Sequence, residues 1–485
     1  MPSVKVCVWN VQDFGWGNVA LRWGADSDLR NRFITSFVRS QKIDVLLIME
    51  MTTTGAPSLL DLMLTLTFGK GQPTDWAVTS CGSALTRAAE NPPTAVTQLK
   101  YKTGARQEGY AVAWRFKQTD RFTVVPALHP ISGGVKVRRA YSTVPTAPLN
   151  MTTMGRPAGN VDADWRPKGG YLVKNLFPYD DKTLLTKWPK LEFPGTGKWD
   201  SLMTWTGARR PVYVVLDVAI GGGTPGQRLV PIGAYHAPSK LKRAELGALQ
   251  AGLSRELYTT NTLNADGTPK GDSLVHNDRV VLGGDFNYEV PDTADWPGYY
   301  GYFTTKYKQG YEGGAACSVV PGYNATDAAR RTVVRLVKGV AHDEIITGAN
   351  IGDYLSHMID LAFFRGSGVS AARVNIPALL TDPSARAPYT PTLKMFYTHL
   401  NRLVAALVPA TQRLATTGPE RVENAGTSNE RWVPMLTGGW GSTFVDWATF
   451  MTQLKAGKLT ASRQAAEFYR IFVSDHLPLV ATIDL

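Results

Sequence analysis

The stretch "VVLGGDFNYEVPD", residues 280–292, starts as a buried strand and places Asp285 and Asn287 where the apolar run stops. Successive side chains of a strand point to opposite faces, so positions 285 and 287 read as neighbours on one face. Gly283 and Gly284, just before them, admit a close backbone or a ligand. Taken alone, the segment is equally a strand closing in an Asx turn. The rest of the chain decides between a turn and a site.

Around this strand the chain alternates strands and helices. "VKVCVWNV" (4–11) has the alternation of a strand, "SDLRNRFITSFVRSQ" (27–41) carries Leu29, Phe33, Phe37 and Val38 at helical spacing, and "DVLLIME" (44–50) is a short apolar strand. That β-α-β opening predicts a layered α/β protein. Further strands are expected at 109–116, 211–220, 228–237, 279–287, 357–364 and 477–485, with a helix at 239–257 capped by Ser239.

Two stretches break the rhythm. Residues 129–208 mix turn residues with Trp165, Tyr171, Trp188, Trp199 and Trp205, and with the basic run "KVRR" at 136–139. They read as a loop-rich insertion. Residues 375–470 read as helical: "TPTLKMFYTHLNRLVAAL" puts Leu393, Phe396, Leu400, Leu403 and Leu407 on one face, with Thr390 as cap and Pro391 in the first turn. "STFVDWATFMTQLKAG" (442–457) is a second helix.

The 485 residues suffice for two or three domains, or for one elaborated domain. Lys+Arg of 52 against Asp+Glu of 40 gives a net charge of +12, which favours polyanionic partners such as nucleic acid or an anionic membrane surface. Three scattered cysteines exclude a disulfide framework or a zinc cluster, and Cys7 reads as an inert core thiol. No window approaches the apolar length of a membrane span, and "MPSVKVCVWNVQDFG" lacks the apolar stretch of a signal peptide. The expectation is a cytoplasmic protein, with leaderless export left open.

The polar residues gather at strand ends. Asn10 closes the first strand and Glu50 the second, Glu108 precedes a strand in "RQEGYAVAWR", and His236 ends one in "GAYHAPS". Asp360 is embedded in "HMIDLAFF", and "FVSDHLPLV" presents Asp475 and His476. Asp360 between Ile359 and Leu361 needs a partner if buried, and His476 is the best candidate. Carboxylates, carboxamides and two histidines are what a hard divalent cation and a phosphate ester require: Mg²⁺ prefers oxygen ligands, and histidine moves protons near neutral pH.

At this point the chain resembles the DNase I-like endonuclease/exonuclease/phosphatase superfamily. Its hallmarks stand in order: "WN" at 9–10, a strand ending in Glu50, the His236 turn, "GDFN", the Asp360 strand and a terminal "SDH". "WNVQDFG", "EGYAVAWR" and "HAPS" are closer to the DNase I branch than to exonuclease III-type enzymes. Single motifs are weak signals, whereas six in order are strong.

The resemblance implies a four-layer α/β sandwich, two mixed β-sheets flanked by helices, carrying a loop-rich insertion and a helical insertion. The catalytic core would comprise residues 1–128, 209–374 and 471–485, interrupted by 129–208 and 375–470. It implies that Glu50 binds Mg²⁺ (Mn²⁺ or Ca²⁺ as alternatives), supported by Asn10, and that Asp475 completes the metal or phosphate site. Asp285 and Asn287 would position the attacking water or the scissile phosphate. His236 oriented by Glu108, and His476 oriented by Asp360, would form the acid/base pair. "ARRPVY" makes Arg209 or Arg210 a phosphate clamp, and Lys136, Arg138 and Arg139 are candidate contacts to a nucleic-acid backbone.

The chain departs from the family in having Met49 where a Gln usually precedes the metal Glu, which removes a supporting hydrogen bond but no ligand. The expected activity is Mg²⁺-dependent phosphodiester hydrolysis, with DNA as the leading substrate. A phosphatase or phospholipase acting on inositol phosphates or sphingomyelin shares the fold, as would a catalytically inactive nucleic-acid-binding relative. A protein partner is expected, if anywhere, on the helical insertion.

Overall fold

In the computed structural model of the chain, β1 (Ser3–Phe14) runs parallel to β2 (Val45–Thr52), with α1 (Leu29–Ser40) between them, as the alternating pattern predicts. The structure describes residues 3–14, 29–52, 62, 65–66, 76–82, 108–115, 123–125, 212–217, 229–237, 259–263, 269–276, 279–289, 317–321, 330–338, 344–407, 418–423, 430–435 and 446–484. The expected insertion 129–208 and the expected helix 239–257 lie outside these residues.

Ten further strands complete two six-stranded mixed sheets: β3 (Trp76–Gly82), β4 (Glu108–Arg115), β5 (Thr123–Val125), β6 (Val212–Asp217), β7 (Leu229–His236), β8 (Val280–Asp285), β9 (Ser318–Val320), β10 (Asp360–Arg365), β11 (Val369–Arg373) and β12 (Leu479–Asp484). The first sheet has the order β11-β12-β1-β2-β4-β3 and the second β9-β10-β8-β7-β6-β5. Each has one parallel pair at its centre, β1 with β2 and β7 with β8, and antiparallel neighbours elsewhere. At the ends of the described chain, Ser3 pairs with Asp484 in the β1–β12 ladder.

The alternation along β1 sorts its side chains between two layers. Cys7, Trp9 and Val11 join the apolar cluster under the helices, while Val8 points at the second sheet. The two sheets meet there so closely that a Cβ on Gly283 would lie 3.0 Å from the Val8 side chain. Gly284 is tighter still, since its Cβ would stand 1.9 Å from the Tyr235 carbonyl oxygen. The glycines thus serve backbone and sheet packing, the first of the two uses considered for them.

Helices α2 (Ile376–Thr381), α3 (Pro383–Arg386), α4 (Thr390–Leu407), α5 (Trp447–Ala456) and α6 (Ser462–Phe472) follow β11. Phe33 of α1, Phe396 of α4, Phe450 of α5 and Phe468 and Phe472 of α6 are all buried in one cluster with Trp9. Burying each such ring contributes about 1.5–3 kcal/mol relative to exposure. The segment 375–470 is not helical throughout, because Gly418–Glu423 pairs with Glu430–Met435 as a two-stranded ribbon. No helix among the described residues is long and apolar enough to cross a membrane.

Three local expectations are corrected. Thr390 is not an N-cap: its φ of −50° and ψ of −45° are helical, because the 3₁₀ turn Ala387–Tyr389 runs directly into α4. The strand expected from 357 begins at Asp360, since His357 has φ +29° and turns the chain before the ladder starts. The strand expected to reach Asn287 ends at Asp285; Asn287 has φ +50°, so the two are not successive residues of one strand face. Cys7, by contrast, is fully buried as expected, and burial raises its thiol pKa well above the ordinary value.

Candidate active site

The site forms where the carboxyl ends of the central strands of both sheets converge. His236 ends β7 and Asp285 ends β8, and the two are register partners in the parallel ladder. Asp360 begins β10 directly opposite Asp285 in the antiparallel ladder. From the other sheet come Asn10 of β1 and Glu50 of β2.

Glu50 sits at a register break in the β2–β4 ladder, between Met49 and Met51, with φ +58°. A non-glycine residue in the left-handed region is uncommon, and a bulge re-aims the side chain of the residue it carries. Here the side chain reaches the Asn10 carboxamide, whose Nδ2 donates to Glu50 Oε1 at 2.9 Å and to Asp285 Oδ2 at 3.0 Å. One carboxamide thereby ties together carboxylates from both sheets.

Asp285 is the hub. Its Oδ1 accepts the Asn287 backbone N–H at 2.8 Å, closing the Asx turn. Its Oδ2 lies 3.7 Å from His236 Nε2 and 3.7 Å from His476 Nε2, between the two imidazoles. Burial pushes the Asp285 carboxyl up to about 7; His476 opposes the rise and Asp360 adds to it. The Asn287 carboxamide donates to the Ala237 carbonyl at 2.7 Å, so it too is held beside His236.

His476 is paired as expected. Its Nδ1 lies 2.9 Å from Asp360 Oδ2 and 3.1 Å from Oδ1, and both residues are buried. Burial alone would lower the imidazole pKa, but the carboxylates of Asp360, Asp475 and Asp285 outweigh it and raise it well above 6.5. Asp475 Oδ1 is 3.7 Å from His476 Nε2, and its other oxygen is 3.6 Å from Arg470.

Two groups of three can hold a cation among the described residues: Glu50, His236 and Asp285, and Asp285, Asp360 and His476. In the second, the Asp360–His476 hydrogen bond already occupies His476 Nδ1 and leaves only Nε2 facing Asp285. The first has room for more, because Asn10 Oδ1 beside it is fully buried with no hydrogen-bond partner. A buried carbonyl-type oxygen next to two carboxylates suits a hard divalent ion. The residues therefore fit the expected group through Glu50, Asn10 and Asp285, while Asp475 belongs to neither group.

Several expected residues are only partly placed. Glu108 opens β4 opposite Thr52, and its side chain falls outside the description. Arg209, Arg210, Lys136, Arg138 and Arg139 lie outside the described residues. Other contributors had no sequence signal. The Tyr110 hydroxyl accepts the His236 backbone N–H at 3.1 Å, and Thr332 Oγ1 accepts the Asp360 N–H at 3.1 Å. Glu289 holds His357 Nδ1 at 2.8 Å on the rim of the same loops.

No protein-family model matches the chain, and no curated protein sequence does. Solved structures overlap with the chain at low score. An endonuclease/exonuclease/phosphatase family protein from Bacteroides thetaiotaomicron shows 10% identity over 100% of this chain and 99% of that chain, with a TM-score of 0.36. An endonuclease/exonuclease/phosphatase from Bacteroides vulgatus shows 11% identity over 79% of this chain and 94% of that one, with a TM-score of 0.34. D. rerio TDP2 complexed with a single-strand DNA product shows 9% identity over 100% of both chains, with a TM-score of 0.35. Overlaps of this size carry no weight of their own, and the reading of the site rests on the side chains described above.

Proposed function

We propose that the chain is a divalent-metal-dependent phosphodiesterase that hydrolyses nucleic acid, DNA foremost. The observation that carries this reading is Asp285 Oδ2 held between the Nε2 atoms of His236 and His476, with Asn10 linking it to Glu50. Two proton-moving rings and an oxygen-rich ligand group thus share one point. An inactive relative gains little from keeping a buried Asp360–His476 pair, whose desolvation is costly.

In this reading Glu50, Asn10 and Asp285 hold the cation, Mg²⁺ by preference, which when bound neutralises charge developing on the phosphate. The chain's own groups do the rest. Asp285 and Asn287 orient the water that attacks phosphorus, and His236 takes its proton as the new P–O bond forms. His476, held by Asp360, donates from Nε2 to the phosphate or to the leaving oxygen as the P–O bond breaks, and His236 faces the same group from the other side. Asp475 shares the phosphate side with His476, Glu108 is assigned to orient His236, and Arg209 or Arg210 to clamp the phosphate. Lys136, Arg138 and Arg139 extend the contact along the backbone, consistent with the net charge of +12.

The test is hydrolysis of plasmid DNA, inositol phosphates and sphingomyelin, each with Mg²⁺ and with EDTA. Mg²⁺-dependent nicking, slowed about 10²- to 10⁴-fold by His236→Ala and by His476→Ala, is expected. Cleavage of a small phosphate ester or lipid alone would move the protein to another branch of substrates, and no turnover of any would make it a binding protein. Neutralising Lys136, Arg138 and Arg139 together should shrink the slope of log K against log salt by about 0.9 per lost phosphate contact. An unchanged slope would remove them from the interface.

A further inference from the structure

The backbone of His476 is held through both its N–H and its carbonyl, and one of the holding groups comes from α6. The His476 carbonyl accepts two hydrogen bonds, from Trp9 Nε1 at 2.9 Å and from the Tyr469 hydroxyl. The Tyr469 carbonyl in turn accepts the Val473 and Ser474 N–H groups, each at 2.9 Å, closing the turn that leads into the Ser474-Asp475-His476 segment. Ser474 Oγ accepts the His476 N–H at 3.0 Å and donates to the Asn10 carbonyl at 2.7 Å. The ring of Tyr469 stacks on Trp9, with centroids 6.4 Å apart and planes 3° apart.

These contacts have a single geometric result. Asp360 orients the His476 ring through Nδ1, but an imidazole is aimed only if its own Cα is held. Tyr469 and Trp9 hold it, at the carbonyl, from outside the cleft. Burial raises the Tyr469 hydroxyl pKa well above 10, so it stays a donor at any working pH.

We infer that Tyr469, in the last turn of α6, is a positioning residue for His476, acting through the His476 carbonyl oxygen. This assignment rests on the phosphodiesterase reading and deepens it. The helical segment before the final strand becomes part of the machinery that aims the histidine, although it contributes no group to the reacting phosphate. Tyr469 is the sharper probe of the two donors, because removing its hydroxyl leaves ring, stacking and the Trp9 bond in place.

The experiment is a double-mutant cycle in the full chain, with DNA and Mg²⁺. Tyr469→Phe should lower kcat about 5- to 30-fold, the equivalent of one lost hydrogen bond, with KM unchanged. In the His476→Ala background, which retains residual turnover, the same substitution should have no further effect. The proton shared by His476 and Asp360, followed by NMR, should change its shift or exchange faster in Tyr469→Phe. Phe450→Leu serves as the structural control. It thins the same apolar cluster without touching His476, and should lower Tm while leaving kcat and the His476 proton unchanged. Wild-type kcat in Tyr469→Phe, or an equal loss with and without His476, would overturn the inference while leaving the phosphodiesterase reading intact. Wild-type turnover in His476→Ala would overturn both.

Discussion

Asp285 and Asp360 face each other as register partners in the β8–β10 ladder, yet His476 turns a different nitrogen to each: Nδ1 to Asp360 at 2.9 Å and Nε2 to Asp285 at 3.7 Å. One carboxylate holds the ring while the other shares the space in which it works. Asp360→Asn keeps the shape but loses the charge and the preferred tautomer. Turnover should fall about 10²- to 10⁴-fold with little change in DNA affinity, measured by steady-state kinetics beside a binding titration. Equal losses in kcat and affinity would make Asp360 a plain structural residue.

Glu50 supplies the charge nearest the Asn10 carboxamide and the backbone twist that delivers it. Glu50→Gln preserves volume and removes charge. Mg²⁺ or Mn²⁺ affinity, followed by calorimetry, should drop more than about tenfold, which is 1.4 kcal/mol. On the proposed reading, EDTA should silence wild-type turnover and Mg²⁺ should restore it. Unaltered affinity would move the cation away from Glu50.

The sequence pattern placed Asp285 and Asp360 beside hydrophobic strands and named His476 as the partner of Asp360, and the structure has Asp285 ending β8, Asp360 opening β10 and His476 Nδ1 at 2.9 Å from Asp360. It misread Asn287, since period-two alternation assumes the strand continues, whereas the chain turns to φ +50° so that its N–H can reach Asp285 Oδ1. The bulge at Glu50 left no local mark either, for it appears only in the register against β4. Trp9 and His476 are 467 residues apart in sequence, and no local pattern announces an indole N–H aimed at that carbonyl. Ser474 escaped notice for the same reason, since its hydroxyl donates to the Asn10 carbonyl near the other end of the chain, while the Tyr469 hydroxyl reaches a nearby backbone carbonyl that carries no side-chain pattern.

Gly284 offers a test of the sheet itself. With a Cβ 1.9 Å from the Tyr235 carbonyl oxygen, Gly284→Ala has only rigid backbone to push against and should yield no folded protein by circular dichroism. Gly283→Ala meets the Val8 side chain at 3.0 Å, which can shift, so it should fold with a lowered Tm. Equal behaviour of the two variants would contradict the close approach of β7 and β8.

The Glu289–His357 pair predicts a pH effect. The His357 hydrogen bond holds the Glu289 carboxyl below its ordinary 4.5, against the opposing effect of burial. A folded-state value below the unfolded one stabilises above the unfolded pKa, and the gain is lost as pH falls. The stability gap between wild type and Glu289→Gln, measured by denaturant titration, should therefore be larger at about pH 6 than at about pH 3. A gap that is constant or widens with acid would refute the pairing.

The antiparallel β1–β12 ladder, with Ser3 opposite Asp484, also fixes how the molecule answers to mechanical load. Tension applied at these two ends meets both strands at the same margin of the sheet, so their hydrogen bonds yield one after another, like a zip, instead of all at once. The first rupture should need little force, and it should travel along β1 toward Trp9 and Asn10. Separation started there thus leads straight to Trp9 and Asn10, and an optical-tweezers trace should show a first, low-force step that frees β1 from β12 before most of the chain has unravelled.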